Sequence, residues 1–461
     1  MLRSSVHSLR SWAALGVVGL GASIAPLDFA VNIIFPAMAA DFGLQPADIR
    51  WAAICLVLTY GSLMLAFGAL GDRIGHLTVF RAGLALAVVA FSLCTWAPTF
   101  GVLLAGRILQ GIAVALVLSC APALATRTRA ESQRTLALGA YGSLNAAAGV
   151  AAPLIGGLSL LTLGWQGVFA IRIPLMAAAL VASYWLAGVL RPVERASRSS
   201  ETGFPRFARI GWLALGLALT LLAPPLLGEL ARPQAGWIAL AAASSAGLGL
   251  WIIRQFAQAQ QTSGSPYLPP TTARSRAFWS LQAAAVLIQF ASFAVPLIAP
   301  FALLGELSQS ALASGALMAT WALGTLAGSA AAPRLALHWG VARCTQASFG
   351  LAALGLIMVT LWPQIPGLAW MLTSLVLQGF ALGLFQVTYG DQVMASLPLA
   401  SRGIAGSITM VTRTVGLVFG ASLWIALLKH TGFVGVYTVA ATVMLVYALL
   451  TLRLRHWSMT P

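Results

Sequence analysis

The chain has 461 residues, of which 59% are hydrophobic and 8% are charged, and its formal net charge is +16. Apolar runs longer than about 18 residues mark transmembrane helices, so this composition excludes an ordinary soluble protein. The basic excess is explained by loops on one side of a membrane, and it therefore does not indicate a nucleic-acid partner.

Fourteen apolar segments are predicted to cross the membrane as helices. A bilayer requires every backbone polar group to be paired internally, which apolar runs of 20 or more residues achieve as helices. The segments are 12–38, 51–70, 79–97, 101–125, 135–161, 166–190, 208–227, 236–254, 277–304, 312–333, 343–362, 367–391, 402–428 and 432–452. We therefore expect an all-α polytopic membrane protein with about 14 transmembrane helices.

Basic residues are distributed unevenly among the predicted loops. With a cytoplasmic N-terminus, 20 of the 26 lysines and arginines lie in the inward loops and tails. By the positive-inside rule, this pattern predicts a multi-pass protein of the cytoplasmic (inner) membrane with both termini in the cytoplasm. The first apolar run is too long for a signal peptide, so we expect it to remain as the first helix.

Two short motifs recur at an offset of 268 residues. Leu109-Gln110-Gly111 reappears as Leu377-Gln378-Gly379, and Arg134 reappears as Arg402. Such a repeat is typical of transporters whose two halves rock around a site at the membrane midplane. The predicted divisions are an N-terminal six-helix bundle at 1–190, central loops with two linker helices at 191–276, and a C-terminal six-helix bundle at 277–461.

Asp28 is the only acidic residue placed deep inside a predicted span. A carboxylate there costs roughly 2.5–3.5 kcal/mol on insertion scales, so it indicates a functional site. Arg107 lies about 9 Å and Asp28 about 15 Å from the outer ends of their helices, at 1.5 Å per residue, so the two are expected to meet. We interpret Asp28 as the group that carries a proton and Arg107 as its relay partner. The alternative is a purely structural ion pair.

Polar and aromatic side chains inside the spans are candidate substrate contacts. Aromatic rings and amides suit adaptable binding of lipophilic molecules, although ordinary helix packing explains any one of them equally well. The candidates are Asn32, Gln110, Gln282, Gln289, Phe293, Trp321, Gln386, Tyr389 and Arg413.

The predicted spans hold three arginines, Arg107, Arg172 and Arg413, against one deep aspartate. If all three line a cavity, an anionic, zwitterionic or neutral substrate is favoured over a multiply cationic one. Alternatively, Arg172 and Arg413 bond to backbone carbonyls and stay outside the cavity.

Several motifs resemble those of the major facilitator superfamily. The segment from Gly68 to Gly75, which contains Asp72 and Arg73, is similar to its signature loop. Arg107-x-x-Gln110-Gly111 is similar to its second motif, and Pro153-x-x-Gly156-Gly157 to its antiporter motif. Leu27-Asp28 followed by Asn32 and Pro36 looks like the pattern of the fourteen-helix drug/proton antiporters.

The physical roles expected for these motifs follow from their residue types. Gly68 and Gly75 are expected to allow close backbone approach, while Asp72 and Arg73 hold one conformation of the bundle. Pro153, Gly156 and Gly157 are expected to soften the fifth helix and permit tight packing. A solvated turn and ordinary small-residue packing are the respective alternatives.

The resemblance implies two six-helix bundles plus two extra central helices. It also implies a proton-coupled secondary transporter that exports lipophilic drugs or other small molecules by alternating access. We expect a monomer in the lipid bilayer, without cofactor or metal. A metabolite uniporter or symporter and a non-transporting sensor remain alternatives. An enzyme is disfavoured, because no predicted span holds a His/Cys/Asp cluster and no phosphate-binding glycine loop is present.

Overall fold

The computed structural model describes residues 2–128, 134–189, 204–227, 235–262, 275–396 and 403–453. These ranges form helices joined by short turns and contain no strand. The α-helices are α1 (Leu2–Ala22), α2 (Phe29–Asp41), α3 (Pro46–Ile74), α4 (His76–Thr95), α5 (Phe100–Arg127), α6 (Arg134–Thr162), α7 (Gly167–Ala170), α8 (Arg172–Leu186), α9 (Phe204–Leu227), α10 (Ala235–Thr262), α11 (Arg276–Ser292), α12 (Ala294–Phe301), α13 (Ala311–Trp339), α14 (Val341–Thr360), α15 (Leu368–Ala395) and α16 (Gly403–Arg453).

The helices match the predicted membrane spans. Among the described residues, 10 helices are long and apolar enough to cross a membrane. The number rises to as many as 12 when each bent pair of helices counts as one span. Gly432 adopts a non-helical conformation (φ 66, ψ −173) and divides the 51 residues of α16 into two lengths. The apolar helix α9 falls on the seventh predicted span. When α9 is included and α16 is counted as two helices, the number of membrane spans is about 14. This number confirms the predicted fold class.

The first predicted span, 12–38, is a broken helix. The helix α1 ends at Ala22, a 3-10 turn covers Pro26–Asp28, and α2 begins at Phe29, with a bend of 41°. Pro26 opens the 3-10 turn, where its missing N–H needs no partner and its fixed φ is tolerated. Asp28 therefore lies at a helix break. We call residues 23–28 the hinge.

The helices group into two compact units. The first comprises Met1–Val31, Trp51–Ala218 and Gly249–Ile253, and the second comprises Asn32–Arg50, Leu219–Leu248 and Arg254–Pro461. The division at 1–190, 191–276 and 277–461 stays a prediction.

Glycines bring α13 and α15 into close contact in the second unit. A Cβ atom on Gly379 would overlap the carbonyl oxygen of Trp321, and one on Gly328 would overlap that of Phe380. Small residues let helix backbones approach in this way, which strengthens packing where no hydrophobic force acts between helices. The second copy of the repeated Leu-Gln-Gly motif therefore has a packing role at its glycine.

The variant Gly379→Ala is expected to lower the free energy of unfolding by about 1–3 kcal/mol, because the added methyl group forces the two helices apart. Thermal unfolding of the purified protein in detergent measures the loss. Gly350→Ala in α14 is the matched control, since its Cβ would meet nothing within 4 Å and alanine favours a helix. Equal melting temperatures for the two variants would contradict the packing role.

Candidate functional site

Asp28 is held by two arginines from different helices. Arg107 on α5 donates from Nη1 to Oδ1 at 2.7 Å and from Nη2 to Oδ2 at 2.8 Å. Arg172, the first residue of α8, donates from Nη1 to Oδ1 at 3.0 Å. The arginine side chains are 1% and 2% exposed, and that of Asp28 is 16% exposed. The group therefore carries two positive formal charges against one negative charge.

Arg107 is fixed by further hydrogen bonds around the carboxylate. Its Nε donates to the carbonyl oxygen of Ala52 on α3 at 2.8 Å, and its Nη1 donates to Oε1 of Gln110 at 2.7 Å. Gln110 in turn donates from Nε2 to Oδ1 of Asp28 at 2.9 Å. We call Asp28, Arg107, Gln110 and Arg172 the Asp28 cluster. Gln110 was predicted as a substrate contact, and the structure places it in this cluster.

Close packing explains why a glycine, Gly111, follows Gln110 in the second motif. A Cβ atom here would lie 2.6 Å from Cβ of Thr59 and 2.9 Å from the carbonyl oxygen of Leu56. Glycine thus allows α3 to approach α5 closely, which places the Ala52 carbonyl within reach of Arg107. The motif supplies a charge, an amide and a close backbone contact.

Arg172 bonds to a carbonyl and to the carboxylate together. Its Nη2 donates to the carbonyl oxygen of Leu27, the residue before Asp28. Its guanidinium also lies 5.5 Å from the ring centroid of Phe91 and 6.0 Å from that of Phe169. Aromatic faces attract cations, so both rings stabilise the buried charge. Sequence reasoning noted Arg172 as a charge inside a span but did not place it on Asp28.

Gly156 of the antiporter motif packs against the backbone just after the hinge. A Cβ atom on Gly156 would lie 2.6 Å from the carbonyl oxygen and 3.1 Å from Cα of Ala30. Pro153 and Gly157 are buried in the same helix, α6. The motif therefore supports the segment that carries Asp28.

The variant Gly156→Ala is expected to displace Ala30 and reduce transport at least tenfold, because buried backbone cannot yield without moving Asp28. Initial transport rates in liposomes measure the effect. Gly142→Ala, in the same helix, is the control because its Cβ would meet nothing within 4 Å. Equal rates in both variants would count against the supporting role of Gly156.

The signature segment forms the sharp connection between α3 and α4. Gly75 has φ 101, a conformation that side chains rarely adopt, and it caps α4. The carboxylate Oδ1 of Asp72 lies 3.4 Å from Nε2 of His76, and the Asp72 side chain is 70% exposed. Arg73 is also exposed. Asp72 and Arg73 are therefore both exposed at the end of α3, where a neighbouring surface can contact them.

The expected close approach is wrong at both Gly68 and Gly75, because a Cβ atom on Gly75 would lie no closer than 3.8 Å to Oγ1 of Thr78. The nearest atom to a Cβ on Gly68 would be Cβ of Ser119 at 3.9 Å, an ordinary contact distance. The close approach occurs at Gly71, where a Cβ atom would lie 2.9 Å from Sγ of Cys120. Gly68 and Gly71 are three residues apart and share nearly the same face of α3, so the close contact lies about one helical turn further along the helix.

The other predicted substrate contacts are spread along the chain. In the second unit, the hydroxyl group of Tyr389 donates to Oε1 of Gln282 at 2.6 Å, and Nε1 of Trp321 donates to Oε1 of Gln378. Gln289, Phe293 and Asn32 are buried, whereas Gln386 and Arg413 are partly buried. The structure thus brings Gln282 and Tyr389 together. Their role as substrate contacts stays a prediction.

A cavity of about 250 Å³ lies in the first unit, beside the hinge. Sequence reasoning proposed none of its lining residues as a substrate contact, because small and aliphatic residues carry no chemical signal. They are Gly16, Gly19, Leu20, Ser23, Leu27, Leu144, Ala148 and Leu175. Within the described ranges, no group of three His, Cys, Asp or Glu side chains could hold a metal ion.

The chain is similar to known proteins in both sequence and fold. The family model for the Major Facilitator Superfamily matches residues 13–293. The chain is 28% identical to the methylenomycin A resistance protein of Bacillus subtilis (strain 168), over 89% of this chain and 86% of the relative. It is 23% identical to the riboflavin transporter RibZ of Clostridioides difficile (strain 630), over 90% and 88%. A solved POT family transporter in complex with 5-aminolevulinic acid matches with a TM-score of 0.69 at 15% identity, covering 95% of each chain.

Proposed function

Because this chain belongs to the major facilitator superfamily, in its drug-efflux branch, we propose that it exports lipophilic drugs or other small molecules in exchange for protons. It is a multi-pass membrane protein, and its family transports small molecules rather than catalysing reactions. In this proposal the protein works by alternating access in the cytoplasmic membrane, as a monomer with both termini in the cytoplasm. Asp28 is the proton-carrying group.

The observation that carries the proposal is the buried ion pair of Asp28 with Arg107 and Arg172. Protonation removes the negative charge that holds both guanidinium groups, so it weakens two strong, desolvated interactions at once. The ionised and protonated forms therefore favour different local packing. A transporter couples proton binding to alternating access when its two conformations bind the proton with different affinities.

The direction in which the substrate crosses the membrane is inferred from the similarity of this chain to known transporters and from the chemistry of proton coupling. Similarity to an antibiotic resistance protein supports export. Similarity to a riboflavin transporter favours a second candidate, transport of a metabolite by uniport or symport. Antiport moves protons opposite to the substrate, symport moves them with the substrate, and uniport moves none, so proton movement on adding substrate separates the candidates.

Purified protein in liposomes tests the proposal. A pH gradient is imposed, and its dissipation is followed after adding a panel of lipophilic cations, anions and neutral compounds. Wild type and Asp391→Asn, a control with an exposed acid outside the cluster, should respond to at least one compound, whereas Asp28→Asn should not. An equal response in Asp28→Asn would remove Asp28 from the coupling. Substrate-driven proton movement in the symport direction would instead favour the second candidate.

A further inference from the structure

The two arginines hold Asp28 in different ways. Arg107 makes hydrogen bonds to Ala52 and Gln110 as well as to both carboxylate oxygens, so it stays fixed when one partner changes. Arg172 makes its hydrogen bonds to Leu27 and Asp28, two consecutive residues at the end of the hinge. Arg172 therefore ties the start of α8 directly to the hinge.

The chain is packed tightly just after the hinge, whereas free space lies beside the hinge itself. Gly156 of α6 touches the backbone of Ala30, so the chain after the hinge cannot move toward that part of α6. The 250 Å³ cavity is lined by Ser23 and Leu27 of the hinge and by Leu175, which lies one helical turn after Arg172. Movement of Leu27 into this cavity requires no repacking of a filled core.

The carboxylate of Asp28 also keeps two like charges together. Nη1 of Arg107 and Nη1 of Arg172 both donate to Oδ1 of Asp28, at 2.7 Å and 3.0 Å, so these two nitrogen atoms lie within about 6 Å of each other. At such separations in a desolvated site, like charges repel strongly unless an anion lies between them. Among the described residues, the titratable groups other than Asp28 and Arg172 that interact with Arg107 are the thiols of Cys55 on α3 and Cys94 on α4. Neither supplies the missing negative charge when Asp28 is protonated.

We propose that Arg172 is the positioning residue that converts protonation of Asp28 into movement of the hinge. When Asp28 binds a proton, repulsion between the two arginines is no longer offset, and the less anchored Arg172 moves. The Leu27 carbonyl then loses its donor, and the hinge relaxes into the cavity. This inference rests on the proposed function, because it describes how that proton site would drive conformational change.

Backbone hydrogen exchange reports on the hinge directly. The N–H of Leu27 donates to the Ser23 carbonyl at 2.9 Å, and the N–H of Asp28 donates to the Ala25 carbonyl at 3.0 Å. Exchange of a peptide covering 20–31 is measured by mass spectrometry, with the protein in lipid nanodiscs. The set comprises wild type, Asp28→Asn, Arg172→Gln, Arg172→Lys, the double variant Asp28→Asn/Arg172→Gln, and Arg81→Gln.

Arg81→Gln is the matched control. Arg81 on α4 donates to the Ser183 carbonyl at 2.8 Å, so it also joins a neighbouring helix to α8, but its hydrogen bonds avoid the hinge. An equal rise in exchange in Arg81→Gln and Arg172→Gln would indicate a general loosening of α8 rather than a role of Arg172 at the hinge.

The expected result is roughly tenfold faster exchange at 20–31 in Asp28→Asn and in Arg172→Gln, with no further increase in the double variant. Arg172→Lys should restore most of the protection, and Arg81→Gln should match wild type. Additive effects in the double variant, or unchanged exchange in Arg172→Gln, would overturn the inference. Should Arg172→Gln alone fail to fold, Asp28→Asn is compared with the double variant Asp28→Asn/Arg172→Gln, whose cluster has the formal charge of wild type; faster exchange in the double variant would overturn the inference.

The hydrogen-exchange experiment needs no transported compound, so its failure is distinct from failure of the proposed function. A hinge that responds to Asp28→Asn through Arg172, in a protein that moves no protons with substrate, would keep the inference and reject proton exchange. Proton-coupled transport by a protein whose hinge exchanges at the same rate in wild type and Asp28→Asn would keep the proposed function and reject the inference.

Discussion

The variant Arg107→Gln is expected to lose about 3–5 kcal/mol in free energy of unfolding, because it removes several charge-assisted hydrogen bonds at once and leaves buried acceptors without a donor. Asp28 would lose both of its short contacts to Arg107, at 2.7 Å and 2.8 Å, and the Ala52 carbonyl would lose a charged donor. Arg172 and Gln110 would then hold the carboxylate, both through Oδ1. Unfolding by denaturant in detergent, with two independent spectroscopic probes, measures the loss.

Arg81→Gln is again the control for the effect of removing an arginine. Arg81 is partly buried and bonds to Ser183 rather than to a carboxylate, so its loss should cost roughly 1 kcal/mol. A stability loss in Arg107→Gln no larger than that in Arg81→Gln would show that Arg107 does not anchor the cluster.

The second large effect concerns the charge balance of the Asp28 cluster. Wild type carries a formal charge of +1, Asp28→Asn carries +2, and Asp28→Asn/Arg172→Gln returns to +1. Asp28→Asn is therefore expected to be destabilised, and adding Arg172→Gln should recover part of the loss. A thermodynamic cycle over the four proteins should give a coupling energy of about 2–3 kcal/mol, near the upper end for residues in direct contact. Additive losses would contradict a shared electrostatic site.

Much of the fold was predictable because membrane spans leave a strong signal. Long apolar runs fix the positions of the helices, and the structure confirms an all-α polytopic fold and places helices at the predicted spans. The family match likewise confirms the resemblance drawn from the motifs at 68–75, 107–111 and 153–157. A charge in an apolar run is conspicuous, which is why Asp28 and Arg107 were found as candidates.

Other features depend on atomic contacts that residue patterns do not specify. The bond from Arg172 to the Leu27 carbonyl requires a break in the first span, and Pro26 alone does not distinguish a kink from a break. The close approach at Gly71 rather than Gly68 depends on the rotation of α3 against Cys120. A register error of one residue would change the helix face by about 100°.

The internal repeat predicts equivalent helix positions in the two halves of the chain but does not predict the contacts made there. At the offset of 268 residues, Gln110 corresponds to Gln378, but Asp28 and Arg107 correspond to Pro296 and Leu375. Gln110 bonds to a carboxylate, whereas Gln378 accepts a hydrogen bond from Trp321. The shared residue marks a shared helix position, and its chemistry depends on the partner that each half supplies.

Proton release on substrate binding tests the role of Asp28 most directly. The purified protein is placed in weakly buffered solution with a pH indicator, at a pH acidic enough for Asp28 to be protonated beforehand, and a compound that wild type transports is added. Wild type should release protons as the compound binds, and Asp28→Asn should bind the compound without releasing any. Equal proton release from both proteins, or none from wild type with a compound that it transports, would contradict proton exchange through Asp28.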